Sequence, residues 1–126
     1  MKLSTFLTIK AVICFIFGLP ALLVPEIMGT IYSMSTTPEG VLMTRFFGLG
    51  FIGIGLILWY ARGAPRDNLV NGILLSLGSI DFLGFIVALM AMLQGVMNVY
   101  GWVTVVIWLL MALGCSYYRF MATESV

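Results

Sequence analysis

Histidine is absent from this 126-residue sequence, and charge is scarce: Lys, Arg, Asp and Glu together make up 9% of it, six basic and five acidic. A soluble domain carries about a quarter charged residues, because its surface must be wetted. So few charges suffice only for the loops of a bundle whose sides face lipid. Without histidine there is no His-based triad, no histidine metal ligand and no imidazole proton relay. The two cysteines, Cys14 and Cys115, sit in different apolar segments and form no C-x-x-C pair, which removes zinc and thioredoxin-like chemistry. The net charge of +1 offers no electrostatic footprint for nucleic acid.

What is present in abundance is apolar sequence, at 62% of residues, with 14 glycines. Four apolar stretches, at about 6–24, 38–60, 68–93 and 99–118, are separated by clusters of Pro, Gly, Asn, Thr and charge. Each approaches the roughly 20 residues that cross about 30 Å of hydrocarbon as a helix. The expected fold is therefore all-α: one domain over 1–126, an integral membrane bundle of four transmembrane helices. The first span carries Lys10, whose ammonium is expected to snorkel to the interface. A basic start before an apolar run has the outline of a signal peptide. No small-x-small cleavage site follows, since Pro25-Glu26-Ile27-Met28 comes next, so the segment is expected to stay as a span.

Helix-end chemistry agrees with this division. Thr37-Pro38-Glu39 offers a capping hydroxyl, a first-turn proline and a carboxylate on the positive end of the helix dipole. Arg62-Gly63-Ala64-Pro65 closes the second span, Asp67 or Asn68 opens the third, Gly95 ends it, and Asn98 opens the fourth. Lys2, Lys10, Arg62, Arg66 and Arg119 all fall on the side of the termini, and only Arg45 falls toward the other. The positive-inside rule then puts both termini in the cytoplasm, N-in and C-in. Trp59, Tyr60, Tyr117 and Tyr118 are expected in the inner aromatic belt, with Tyr100 and Trp102 in the outer one. The longest loop, after the first span, holds Ile27, Ile31 and Met34 on one helical face. It reads either as an interfacial helix over about 26–35 or as a kinked continuation of the first span.

Small residues mark helix contacts in lipid. Gly48 and Gly55 share one face of the second span, with Gly50 and Gly53 nearly opposite, as a central helix with two neighbours would need. In the third span Gly78, Asp81, Gly84 and Ala88 fall within about 120° of arc, counting 3.6 residues per turn, while Gly72, Ser76 and Ser79 cluster on the far side. These faces serve helix packing or leave a groove for a lipid tail, a quinone or a pigment. No cofactor is predicted, and any such molecule would bind without histidine ligation. Trp108 is expected to face lipid or to pack on a glycine groove.

Asp81 stands near the middle of the third span, where an ionised carboxylate costs about 2.5–3.5 kcal/mol on insertion scales. Three readings stay open: a hydrogen bond to a neighbouring helix, with Thr104 or Ser116 as partner; contact with a polar ligand or another subunit; or passage of protons or a cation. Glu26 and Arg45 lie at similar depth across the long loop and form a candidate ion pair at the outer interface. Cys14 and Cys115 lie on the cytoplasmic half, where a disulfide is not expected.

The order of features carries a resemblance. Gly18-Leu19-Pro20 and Val24-Pro25 close the first span, and Arg45-Phe46-Phe47-Gly48 leads the second. Asp81-Phe82-Leu83-Gly84 and Gly95-Val96-Met97-Asn98-Val99-Tyr100-Gly101-Trp102 follow. Together they resemble small four-span bacterial membrane proteins of unknown function. The resemblance implies a bacterial cytoplasmic (inner) membrane location and no activity. The expected function is that of a non-enzymatic accessory or assembly subunit, packing against other integral membrane subunits or against its own copies within the lipid bilayer. The alternative is a small oligomeric transporter or channel that uses Asp81.

Overall fold

A computed structural model describes residues 1–34 and 36–122 of the chain. It is all-helical, with no strand among the described residues. Helix α1 spans Leu3–Leu23, α2 Pro25–Ile31, α3 Pro38–Ala61, α4 Asn68–Leu93 and α5 Gly101–Ser116, followed by a π-helical turn at Tyr117–Met121. Four of these, counting α5 with its π-turn, are long and apolar enough to cross a membrane. The first begins a few residues before the apolar run and takes in two hydroxyl residues, Ser4 and Thr8; the Thr8 hydroxyl donates back to the Ser4 carbonyl at 2.8 Å.

The helix ends are built from local hydrogen bonds. Thr37 Oγ1 accepts from the Gly40 amide at 3.1 Å, and Asp67 Oδ1 from the Val70 amide at 3.0 Å. Helix α4 stops at Gly95, whose φ of +71° suits a residue without Cβ. The Val96 amide there reaches back to the Ala91 carbonyl at 2.9 Å and the Gly95 amide to Met92 at 3.1 Å, which is the Schellman closure. The long loop does not continue α1. Val24 leaves helical geometry (φ −135°, ψ 57°), and α2 starts afresh at Pro25. It is shorter than the helix expected over 26–35: Ser33 takes a positive φ of 54°, so Met34 falls outside it, and Ser35 lies outside the described residues.

The chain runs up-down-up-down, α1 packing along α3 and α4 along α5. Glycine sets the α1–α3 distance: a Cβ on Gly48 would meet the Gly18 carbonyl oxygen at 2.7 Å and the Leu22 amide at 2.8 Å. Gly55 receives the ring of Phe15 in the same way. Between α4 and α5, Gly78 receives Cys115 and Gly84 receives the indole of Trp108, while Ala88 is buried nearby. Gly50 and Gly53 meet nothing within 4 Å. The central helix is therefore α1, not α3: α1 is the most enclosed of the four, and α3 has α1 on one side and an open face on the other.

Packing is uneven along the bundle axis. The buried cluster of Leu3, Phe6, Leu7, Leu58, Val70, Leu74 and Tyr118 lies in the half that holds the termini. Tyr118 is part of this core rather than of an interfacial belt: its ring stacks on Phe6 at 5.0 Å and its hydroxyl donates to the Met1 carbonyl at 2.6 Å. Arg66, in the α3–α4 loop, donates to the Ala122 carbonyl at 2.6 Å and to the Tyr118 carbonyl. A cation thereby covers carbonyls at the end of the last helix. The opposite half, toward α2, is not filled in this way.

Candidate functional site

At the boundary between the solid half and the open half, Lys10 of α1 meets Asp81 of α4. Lys10 Nζ lies 2.5 Å from Asp81 Oδ2, and the two residues are 3% and 4% exposed. The placement follows from the helix faces. Lys10 continues the buried stripe Leu3, Leu7, Cys14 of α1, and Asp81 shares the arc of Gly78, Gly84 and Ala88 on α4. A charge in the middle of an apolar helix needs a partner, since desolvation of either ion alone is unfavourable by several kcal/mol, on the order of 3 or more. Each supplies the other's. Cys115 of α5 adds a weak hydrogen bond from Sγ to the same Oδ2 at 3.6 Å, so three helices converge on one carboxylate oxygen.

Two expectations are corrected here. Lys10 does not snorkel to an interface; it is buried, because the carboxylate it can reach is inside the bundle. Asp81 does not use Thr104 or Ser116. The Ser116 hydroxyl donates to the Ala112 carbonyl within its own helix at 2.8 Å, and Thr104 is paired with the Tyr32 hydroxyl at 2.9 Å. The usable signal was a second charge of opposite sign in another apolar span. Weighed against each other, Lys10 and Asp81 would have been candidates for one ion pair, a reading that the snorkelling expectation for Lys10 passed over.

Above the pair lies a cavity of about 540 Å³, between α3 and α5 with α1 and α2 behind. Its size falls in the range of about 300–1,000 Å³ typical of sites for small organic ligands. Lys10, Asp81 and Cys14 border its deep end, and Phe51 and Trp108 its walls, their rings 5.8 Å apart. Of the two placements expected for Trp108, packing on a glycine is the one found, against Gly84, and the residue also lines the cavity. Five methionines, Met28, Met34, Met43, Met97 and Met111, line the remainder, and methionine adapts its shape to irregular apolar guests. Met43 and Phe47 of the rim are exposed, so the cavity communicates with the apolar flank of the bundle.

The roof is tied down by Asn98 in the α4–α5 loop. Its side-chain amide donates to the Ile31 carbonyl at 2.8 Å and to Ser33 Oγ at 3.1 Å, and its backbone amide donates to the Tyr32 carbonyl at 3.1 Å. Its side-chain oxygen accepts from the Tyr100 amide at 3.1 Å. Asn98 therefore straps the end of α2 to the start of α5, a role that a helix-capping reading does not reveal. Sequence proximity gives no hint of it, because the partners are 65 and 67 positions away.

Glu26 and Arg45 are not brought together. Among the described residues Lys10–Asp81 is the one ion pair, and both Glu26 and Arg45 are exposed. At this level α3 turns Val41, Thr44 and Gly48 toward the bundle, and Arg45, one step of 100° past Thr44, points away. Among the described residues no group of three or more His, Cys, Asp or Glu side chains is placed to hold a metal ion.

Four apolar membrane-length helices enclosing a charge pair beneath an apolar cavity define the architecture of a multi-pass membrane protein. Beyond that class, comparison with protein-family models, with curated proteins and with solved structures finds no match to this chain.

Proposed function

We propose that this is a non-catalytic membrane protein that holds the apolar chain of one lipid-like amphiphile in the cavity between α3 and α5. The observation that carries the reading is the asymmetry of packing. The half around Phe6 and Tyr118 is filled, whereas the half toward α2 keeps about 540 Å³ lined by methionine and aromatic side chains. Membrane helices gain from close packing, so an unfilled half beside a filled one is an arrangement that accommodates a guest. The orientation that goes with it is N-in and C-in, in a bacterial inner membrane, supported by Lys2, Arg62, Arg66 and Arg119 at the terminal end against Arg45 at the other.

Native mass spectrometry of the protein released from its own membranes in mild detergent tests this reading. The expected result is a one-to-one adduct of lipid mass that is weakened in Val41→Trp, whose indole intrudes on the cavity. Protein that emerges without any adduct and takes up no added single-chain lipid overturns it.

A second reading, as an accessory subunit that packs against another integral membrane chain, is supported by the α3 face. Gly50 and Gly53 there meet nothing in their own chain, although glycine in a helix is destabilising by about 1 kcal/mol relative to alanine. Cysteine crosslinking from Gly50 in native membranes tests it: a discrete adduct supports the reading, and its absence removes it. A transporter that cycles the charge of Asp81 would have to part it from Lys10 in every turn.

A further inference from the structure

The head group that this cavity accepts can be read from its deep end. Asp81 receives both of its protein hydrogen bonds, from Lys10 and Cys115, on Oδ2. Oδ1 takes none among the described residues and is not among their fully enclosed unpartnered atoms, and Asp81 borders the cavity. Lys10 also borders it, and an ammonium has three N–H groups, of which one is used on Asp81. The deep end thus presents donors and an acceptor side by side, on two residues that are each more than nine-tenths buried.

The charge at this end is already balanced. A carboxylate head would be drawn to Lys10 but would leave the site with one net negative charge, and an ammonium head would leave it with one net positive charge. In a medium of low dielectric an unbalanced charge is strongly disfavoured. An uncharged head restores nothing and disturbs nothing. Among uncharged heads, a ketone or ester only accepts and leaves Oδ1 without a proton, whereas a hydroxyl accepts from Lys10 and donates to Asp81.

Resting on the reading that the cavity holds an apolar chain, we propose that Lys10 and Asp81 form a head-group site for a single-chain, uncharged alcohol. The hydroxyl bridges Lys10 Nζ and Asp81 Oδ1, and the chain runs past Trp108 and Phe51 toward the methionine-lined rim. No bond is made or broken, and the ion pair stays intact in the complex.

The test uses the full chain in nanodiscs, in a W59F/W102F background that leaves Trp108 as the one tryptophan. Quenching of Trp108 is titrated with 9,10-dibromo-octadecanol, 9,10-dibromostearic acid, its methyl ester and 9,10-dibromo-octadecylamine, with unbrominated octadecanol as competitor. The alcohol is expected to quench saturably and to bind at least about tenfold tighter than the acid or the amine, given what an unpaired charge loses in an apolar interior. The ester is expected to fall between. Acid or amine binding as tightly as the alcohol overturns the head-group proposal while leaving the cavity reading intact, and so does an ester that equals the alcohol. Absence of saturable quenching by every probe overturns both. The charge argument makes one further demand: Asp81→Asn must shift preference to the acid and Lys10→Met to the amine. Variants that bind with unchanged preference overturn the proposal, and the wild-type series decides it alone where a variant does not fold.

Discussion

Lys10 Nζ of α1 lies 2.5 Å from Asp81 Oδ2 of α4, across 71 positions of sequence, and no other ion pair joins the described residues. The two ions compensate each other, so removing one is expected to be worse than removing both. Lys10→Met or Asp81→Leu alone leaves an uncompensated charge and should destabilise the bundle by about 3–5 kcal/mol. The double variant should recover most of that loss. Unfolding of all four forms in mixed micelles closes the cycle; equal loss in the single and double variants would refute charge compensation.

A second contrast separates two glycines of one helix. Gly48 crosses α1 at Gly18, where a Cβ would strike backbone atoms that cannot rotate aside. Gly48→Ala is expected to destabilise by about 1–3 kcal/mol, the usual range for overpacking. Gly50 faces open space, and Gly50→Ala should leave stability unchanged or raise it by up to about 1 kcal/mol through helix propensity alone. Thermal unfolding of the purified variants checks both, and a reversed order would mean that α3 packs on α1 through its other face.

Those two glycines also show what the sequence made legible. Apolar run length and end chemistry are local properties, so four membrane-length helices, the Thr37 and Asp67 caps and the Gly95 stop could be read directly from residue order. Which glycine face meets a neighbour is not local. Gly48/Gly55 and Gly50/Gly53 are equivalent on a helical wheel, and only the position of α1 breaks the tie. The same limit applies at the site. Asp81 was conspicuous as a carboxyl in an apolar span, but Lys10 was assigned to the surface because an isolated helix offers a lysine no alternative to snorkelling. The Asn98 strap and the cavity depend on contacts between segments far apart in sequence, and no spacing rule encodes them.

The two cysteines should differ in reach rather than in burial. Both are enclosed, but Cys14 borders the cavity whereas Cys115 lies in the core against Gly78 and Asp81. A small neutral thiol reagent such as methyl methanethiosulfonate is expected to modify Cys14 in the folded protein and to leave Cys115 untouched. A bulky cationic methanethiosulfonate should modify neither until the protein is unfolded. Peptide mass mapping after labelling reads the result, and preferential labelling of Cys115 would contradict the position of the cavity.

The Asn98 side chain supplies several of the ties that hold the roof of the cavity. Asn98 makes three side-chain hydrogen bonds, two to the α2 end at Ile31 and Ser33 and one within its own loop. Asn98→Ala removes all three, and with the neighbouring groups wet rather than buried the global loss should be about 1–2 kcal/mol. The local effect should be larger than the global one. Amides of the segment Tyr32–Met34 are expected to exchange hydrogen faster by about tenfold or more, while those of Leu3–Leu7 and Leu58–Ala61 in the filled half keep their wild-type rates. Breaking the Tyr32–Thr104 hydrogen bond with Tyr32→Phe should loosen the same segment without altering the loop around Tyr100. Exchange mass spectrometry distinguishes the cases. Uniform acceleration along the whole chain after Asn98→Ala would mean that the roof and the core open as one unit, and that access to the deep end at Lys10 and Asp81 requires global unfolding rather than release of a strap.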